Sequence, residues 1–299
     1  MIQVLSGFGV VVGVIAVGWI FGRAHPEARR GLANLVYLVA TPALIFDILL
    51  RTDPRDIFSA NFLVIAGSAL LAGALGFLAF RVRGRSSPDS LIGMLASSYA
   101  NAGNLGVPLA VYILDDAAVV IPVILFQVAF YAPFTLTTLD MLHRSRQSTL
   151  LRNMVASFRN PMLLAAVAGL LIGFLHIPVP EIVRESVALL AGASVPVALM
   201  VFGMSLVGTR VVLSGDVLIA VVLKNLVQPV VSGLLAHYVF GLEGTALLSL
   251  VVLGALPTAQ NVLTYALRFR TNETLARDVG VVSTLVSFPV LVVVTVLLG

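Results

Sequence analysis

The stretch that decides the fold is SSYANAGNLGVPLAVYIL, residues 97–114. Apolar sequence flanks it, and the whole segment is long enough to cross a bilayer, which takes about 20 residues. Its middle nevertheless holds Asn101, Gly103, Asn104, Gly106 and Pro108. Because hydrocarbon offers no partner to a free N–H or C=O, a helix that breaks here needs protein or water around the break. Broken helices of this kind mark substrate sites in transporters.

A second interruption, GALPTAQNVLTYAL, occupies residues 254–267. Aligning the two stretches places Pro108 opposite Asn261 and Asn104 opposite Pro257. The order and spacing of the two interruptions predict two related halves, each of which supplies one broken helix to a central site.

The composition indicates a membrane protein. Of the 299 residues, 59% are hydrophobic and only 11% are charged, whereas an ordinary soluble domain carries about 25% charged residues. The apolar runs are too long, and alternate too little, for the strands of a barrel. The sequence therefore predicts an all-α polytopic membrane protein.

Ten apolar runs are predicted to be transmembrane spans. They are 3–22, 31–50, 59–80, 91–113, 117–139, 161–177, 186–207, 217–240, 246–267 and 278–298. Most of the 18 basic residues lie in the odd-numbered loops, at Arg23, Arg29, Arg30, Arg81, Arg83, Arg85, Arg144, Arg146, Arg152, Arg159, Arg210, Arg268, Arg270 and Arg277. Positive charge marks cytoplasmic loops, so both termini are expected outside the cytoplasm of a bacterial inner membrane. The net charge of +4 then reports orientation and lipid contact rather than nucleic acid binding.

This orientation makes the two halves inverted repeats of five helices, with crossed broken helices four and nine. The predicted domains are residues 1–140, a cytoplasmic link at 141–160, and residues 161–299. Sequence echoes support the pairing, because Pro42 in span two corresponds to Pro196 in span seven. The GxxxG pairs at Gly9–Gly13 and Gly169–Gly173 permit close helix packing.

The breaks suit an anion. If each broken helix resumes near the membrane centre, two helix N-termini point at the site, and each carries about half a positive charge and free N–H groups. Pro108 suits the first turn of such a helix. The predicted substrate-binding residues at the two breaks are Asn101, Asn104, Gly106, Pro108, Pro257, Thr258, Gln260 and Asn261. They could equally serve only to cap the broken helices.

Lys224 is a charged residue well inside a predicted span, and intramembrane ionisable residues are candidates for function. The alternative is a lysine that snorkels or pairs with a backbone carbonyl. Gln127, Tyr99 and Tyr265 are weaker candidates for the same site. The middles of spans four, five, nine and ten lack Asp and Glu, which disfavours a substrate that is only a cation.

Signatures of enzymes are not found. The sequence contains neither HExxH nor a phosphate-binding or dinucleotide motif. The chain has no cysteine, and its four histidines are scattered near span ends. We therefore expect no catalytic residues, no metal and no cofactor.

Three of these motifs together resemble the auxin efflux carrier family. They are NAGNLGVPLAVYIL in span four, VPVALMVFGMSL in span seven and LPTAQNVLTYAL in span nine. That family includes plant auxin exporters and bacterial malate or malonate permeases. The resemblance implies a scaffold from spans one, two, six and seven, a mobile transport domain from spans three, four, five, eight, nine and ten, an elevator movement, and a homodimer.

The expected function is secondary transport of small organic anions, such as carboxylates or auxin-like acids. Two alternatives stay open at this point: a sensory or structural membrane protein of the same fold, and an ion channel.

Overall fold

Twelve helices form the parts of the chain that the computed structural model describes, which are residues 2–51, 60–142, 160–208 and 211–299. In chain order they are α1 (Ile2–Ala24), α2 (Ala28–Leu49), α3 (Ala60–Val82), α4 (Ser87–Ala96), α5 (Ala102–Leu114), α6 (Ala117–Leu142), α7 (Pro161–Leu175), α8 (Glu181–Ser205), α9 (Gly215–Val239), α10 (Gly244–Gly254), α11 (Asn261–Phe269) and α12 (Glu273–Leu298). Most of the predicted link, residues 143–159, lies outside the described residues, as does Arg210.

Six of these helices are long and apolar enough to cross a membrane, namely α2, α3, α6, α8, α9 and α12. Residues 9–24 of α1, together with α5, α7 and α10, form shorter apolar helices of 10–17 residues. Helices of this number and hydropathy confirm the prediction of an all-helical, multi-pass membrane protein.

The predicted spans four and nine are each broken into two helices. The first break separates α4 from α5, and the second separates α10 from α11. Helix α5 resumes with a wide π-helical turn at Ala102–Gly106. Pro108 follows as the second residue of the α-helical segment Val107–Leu109, a first-turn position that suits proline, as predicted.

Wide π-helical turns also accommodate other prolines. Such turns occur at Val36–Ala40, Phe126–Tyr131 and Leu223–Val227, each two residues before Pro42, Pro133 or Pro229. Proline has no N–H and its ring clashes with the carbonyl four residues earlier. A local π turn lets the helix continue past that carbonyl, and such turns are frequent at functional sites.

The chain forms two compact units. Unit 1 comprises Met1–Ser59, Gly103–Val128 and Val155–Thr209, and unit 2 comprises Ala60–Ala102, Ala129–Met154 and Arg210–Gly299. Unit 1 thus contains α1, α2, α7, α8, most of α5 and the first part of α6. Unit 2 contains α3, α4, the rest of α6 and α9 to α12.

In unit 1, glycines bring pairs of helices together. A Cβ on Gly203 of α8 would collide with the backbone of α1 at Ile15, and one on Gly169 of α7 would lie 2.7 Å from Leu49 Cβ of α2. A Cβ on Gly9 or Gly13 would meet nothing within 4 Å. Within the described chain, therefore, the Gly9–Gly13 pair does not make the close contact that its spacing allows.

In unit 2, glycines also lie where two helices pack closely. A Cβ on Gly93 of α4 would press on the Phe80 ring of α3, and one on Gly254 of α10 would lie 3.0 Å from Pro229 Cα of α9. At one end of the unit, Asp216 forms ion pairs with Arg83 and Arg85, both at 2.6 Å. These ion pairs join the α3–α4 loop to the start of α9.

Candidate functional site

The two breaks meet inside unit 2. Ala100 and Thr258 form an antiparallel bridge, in which the N–H of Asn101 donates to the Pro257 carbonyl at 2.8 Å and the N–H of Ala259 donates to the Tyr99 carbonyl at 2.9 Å. The two interruptions therefore satisfy each other's backbone, as hydrocarbon requires. Pro257 meets the backbone of Asn101 here, whereas the alignment of the two halves matched Pro257 with Asn104.

Thr258 ties the two broken spans together through its side chain. Its Oγ1 donates to the carbonyl of Ala96, the last residue of α4, at 2.6 Å. Its N–H donates to Ser283 Oγ of α12 at 3.0 Å. Thr258 is 1% exposed, so these bonds hold the crossing in a dry interior.

Polar side chains of α9 and α12 support the end of α10. Lys224 Nζ donates to the Gly254 carbonyl at 2.8 Å, and Ser287 Oγ donates to the Ala255 carbonyl at 2.7 Å. Asn225 Nδ2 in turn donates to Ser287 Oγ at 2.7 Å. Carbonyls in the last turn of a helix have no intrahelical partner, and these donors replace it.

Sequence reasoning missed Ser283 and Ser287. The available signal was their spacing, because two serines four residues apart lie on one face of an apolar helix. It also missed Tyr131, whose hydroxyl lies 2.6 Å from Ser98 Oγ at the end of α4. An isolated tyrosine or serine in an apolar span carries little information, and only the fold shows that these reach the break.

Tyr99 is the large side chain at the crossing and is 2% exposed. Its ring stacks on Tyr131 with centroids 5.9 Å apart and meets Tyr265 edge-on at 6.2 Å. Its hydroxyl approaches the side chains of Tyr265 and Asn261, yet it makes no hydrogen bond of good geometry with any described residue. The crossing thus places a buried hydroxyl, which needs hydrogen-bonding neighbours, beside the polar side chains at the start of α11.

Gln260 and Asn261 are exposed where α11 begins, and Tyr265 is half-buried one turn later. Asn261 is the first residue of α11, and the N–H groups of Val262, Leu263 and Thr264 donate to the carbonyls of Ala259 and Gln260 just before it. The site in unit 2 thus combines the N-terminus of α11, two amide side chains and tyrosine hydroxyls. This set of donors suits an anion.

The other predicted residues belong to unit 1. Asn104 is half-buried in α5, Gly106 and Pro108 are buried in the same helix, and Gln127 is buried in α6. Asn104 and Gly106 lie in the π-helical turn Ala102–Gly106, and Gln127 lies in the π-helical turn Phe126–Tyr131. Their part in binding stays a prediction, as does that of the residues in unit 2.

The described residues offer little to a metal ion, since they contain no group of three or more His, Cys, Asp or Glu side chains able to hold one. Among these residues, the buried carboxylates of unit 2 face arginines: Asp140 faces Arg268 at 3.8 Å, Asp278 faces Arg277 at 2.8 Å, and Asp216 faces two arginines.

Comparison with known proteins gives the family. The family model described as "Membrane transport protein" matches residues 8–295. A protein of Rhizobium meliloti (strain 1021) named "Putative malonate transporter" is 26% identical over 287 residues, which cover 92% of this chain and 89% of that protein. The chain therefore belongs to the membrane transport protein family, the auxin efflux carrier family that its motifs resemble, and it is a transporter rather than an enzyme.

Proposed function

We propose that this chain is a secondary transporter of small organic anions, and that it binds a carboxylate beside the crossing of its two broken helices. The observation that carries the proposal is the arrangement at residues 99–101 and 257–261. There the paired backbones start two helices, α5 and α11, next to buried and exposed hydrogen-bond donors. Helix N-termini favour carboxylates through their free N–H groups and the helix dipole.

The substrate class follows from charge. In the described residues near the crossing the side chains are neutral donors and acceptors, and Lys224 adds a positive charge behind them. The relative from Rhizobium meliloti carries malonate, a small dicarboxylate, in its name. Both observations favour small carboxylates, and malonate is the first compound to test.

The proposed architecture is ten spans in two inverted repeats, and helix contacts inside each unit support it. In unit 1, α1 packs on α8 and α7 packs on α2. These four helices are the predicted spans one (α1), two (α2), six (α7) and seven (α8). If span one is exchanged with span six and span two with span seven, the α1–α8 contact becomes the α7–α2 contact. In unit 2, α3 packs on α4 and α9 packs on α10. The repeat exchanges α3 with α9 and α4 with α10, so these two contacts are also equivalent.

One contact in unit 1 joins two residues that the repeat exchanges with each other. Thr41 Oγ1 of α2 lies 3.0 Å from Ser194 Oγ of α8, and the two residues are 153 positions apart. That separation is the one that relates Asn104 to Pro257 in the alignment of the two halves. Residues related by a two-fold axis touch only beside that axis, so this bond supports an axis between α2 and α8.

The proposed movement is an elevator, with unit 2 as the transport domain. Unit 1 groups the predicted scaffold spans one, two, six and seven with residues 103–128, and unit 2 groups spans three, eight, nine and ten with the other parts of spans four and five. A homodimer through the scaffold completes the proposal. The exposed face of α1 that contains Gly9 and Gly13 is available for it, because small residues permit close helix contact in membranes.

The proposal is tested by ligand-induced thermal stabilisation of the purified protein and by transport. Malonate and other small carboxylates are expected to raise the melting temperature, whereas amines and sugars of similar size are not. In planar bilayers the protein is expected to give no unitary currents, which separates a carrier from a channel. Stabilisation by none of the carboxylates would contradict the proposed substrate class.

A further inference from the structure

Lys224 occupies an unusual place in unit 2. Its side chain lies on α9 with 0% exposure, so its ammonium group does not reach the surface of the protein by extending along the helix. Nζ instead donates at 2.8 Å to the carbonyl of Gly254. Gly254 is the last residue of α10, the helix that ends at the second break.

No carboxylate compensates this charge within the described part of unit 2. The ion pairs there join Asp140, Asp216 and Asp278 to arginines, and none involves Lys224. An isolated charge in a dry interior is unfavourable unless it is hydrogen-bonded. The negative end of the α10 dipole is the group that faces this lysine.

Two further oxygens near Lys224 in sequence have no hydrogen-bond partner among the described residues. They are Asn225 Oδ1 and Gln228 Oε1, and both side chains are buried. Lys224 and Gln228 are four residues apart, and Asn225 and Gln228 are three apart, so the pairs lie on neighbouring turns of α9. The Lys224 ammonium carries three N–H groups, of which the bond to Gly254 uses one.

Oxygens of this kind bind coupling cations in other transporters. Where helices break inside a membrane, the carbonyls at the C-terminal ends of half-helices coordinate sodium or receive protons. In unit 2 the carbonyl in that position accepts a bond from an ammonium group that is part of the chain.

We propose that Lys224 is a built-in cation that stands where a coupling cation would otherwise bind. The fixed charge stays with unit 2 at the end of α10, so anion transport proceeds without sodium. The consequence for transport rests on the proposed function, whereas the cation site itself can be tested on the purified protein without any anion.

The test compares the melting temperature in sodium chloride and in choline chloride at equal ionic strength. Wild-type protein is expected to melt at the same temperature in both salts. Lys224→Ala vacates the position and leaves the Gly254 carbonyl without its donor, so sodium is expected to raise the melting temperature of this variant relative to choline. Lys224→Met fills the space with apolar atoms, and Lys224→Arg keeps the charge, so neither is expected to respond to sodium.

Hydrogen exchange supplies a second measurement that does not need the alanine variant to fold. In Lys224→Met the break at residues 255–260 loses a hydrogen bond worth about 1 kcal/mol, so its amides are expected to exchange about fivefold faster. Ser249→Ala is the control, because the hydroxyl of this half-buried serine donates to the Thr245 carbonyl of its own helix. Wild-type stabilisation by sodium, a folded Lys224→Ala indifferent to sodium, or unchanged exchange in Lys224→Met would each overturn the proposal. Lack of transport with every carboxylate would instead count against the proposed function.

Discussion

Asn261 and Asn104 show how individual side chains could tune an anion site. Asn261 is exposed at the first residue of α11, and Asn104 lies half-buried in the wide turn of α5. At both positions backbone N–H groups remain when the amide side chain is removed. Substrate binding should therefore weaken rather than vanish when either side chain is truncated.

We expect Asn261→Ala and Asn104→Ala each to weaken malonate binding by about five- to 150-fold. The range corresponds to about 1–3 kcal/mol for a polar partner left unsatisfied. Titration calorimetry on purified protein measures the change, with Ser249→Ala as a control that should bind normally. Unchanged affinity in both asparagine variants would mean that the amides only cap the broken helices.

Thr258 belongs to the same crossing but has a structural role. Thr258→Val keeps the shape of the side chain and removes the 2.6 Å bond to the Ala96 carbonyl. We expect a loss of about 1–3 kcal/mol in the free energy of unfolding, because that buried carbonyl is left unpaired. Thr258→Ser retains the hydroxyl and should cost less. Equal stability of the valine and serine variants in thermal denaturation would contradict this role.

At the scale of helices, the glycine contacts of α1 and α8 offer a matched comparison. Gly203→Ala places a methyl group against the backbone of α1 at Ile15, where helices cannot move apart cheaply, whereas Gly13→Ala points into open space. We expect Gly203→Ala to lower the melting temperature clearly and Gly13→Ala to leave the fold intact. Overpacking of this kind costs about 1–3 kcal/mol. A well-folded Gly203→Ala protein would show that the two helices can separate.

The helix breaks show what the sequence could and could not predict. Polar and small residues inside apolar runs predicted both breaks, and Pro257 lies in the second break. Pro108 lies in the first turn of the α-helical segment Val107–Leu109, as a proline should, but the π-helical turn at Ala102–Gly106 before it was not predictable from residue types. The pairing of Ala100 with Thr258 was not predictable, since neither residue type distinguishes a crossing from its surroundings. Ser283 and Ser287 were equally hidden, because their partners are backbone groups far away in the chain.

At the scale of the whole molecule, the proposed topology makes a direct prediction about exposed loops. Because the chain has no cysteine, single cysteines can be placed without background. His25 and Pro178 are both exposed and lie in loops predicted on opposite sides of the membrane. We expect a membrane-impermeant maleimide to label the Pro178→Cys variant in intact cells and the His25→Cys variant only after permeabilisation. The reverse pattern would remove the basis for inverted repeats in this orientation.

The central claim, that the crossing serves a carrier of small carboxylates, is tested most directly by counterflow in proteoliposomes. Liposomes loaded with unlabelled malonate and diluted into labelled malonate should accumulate label transiently if the protein exchanges anions across the membrane. Asn261→Ala should reach half of its maximal rate only at higher malonate concentrations, and Ser249→Ala should match the wild type. Absence of transient accumulation with malonate and every other small carboxylate, at protein densities where the fold is intact, would contradict the account.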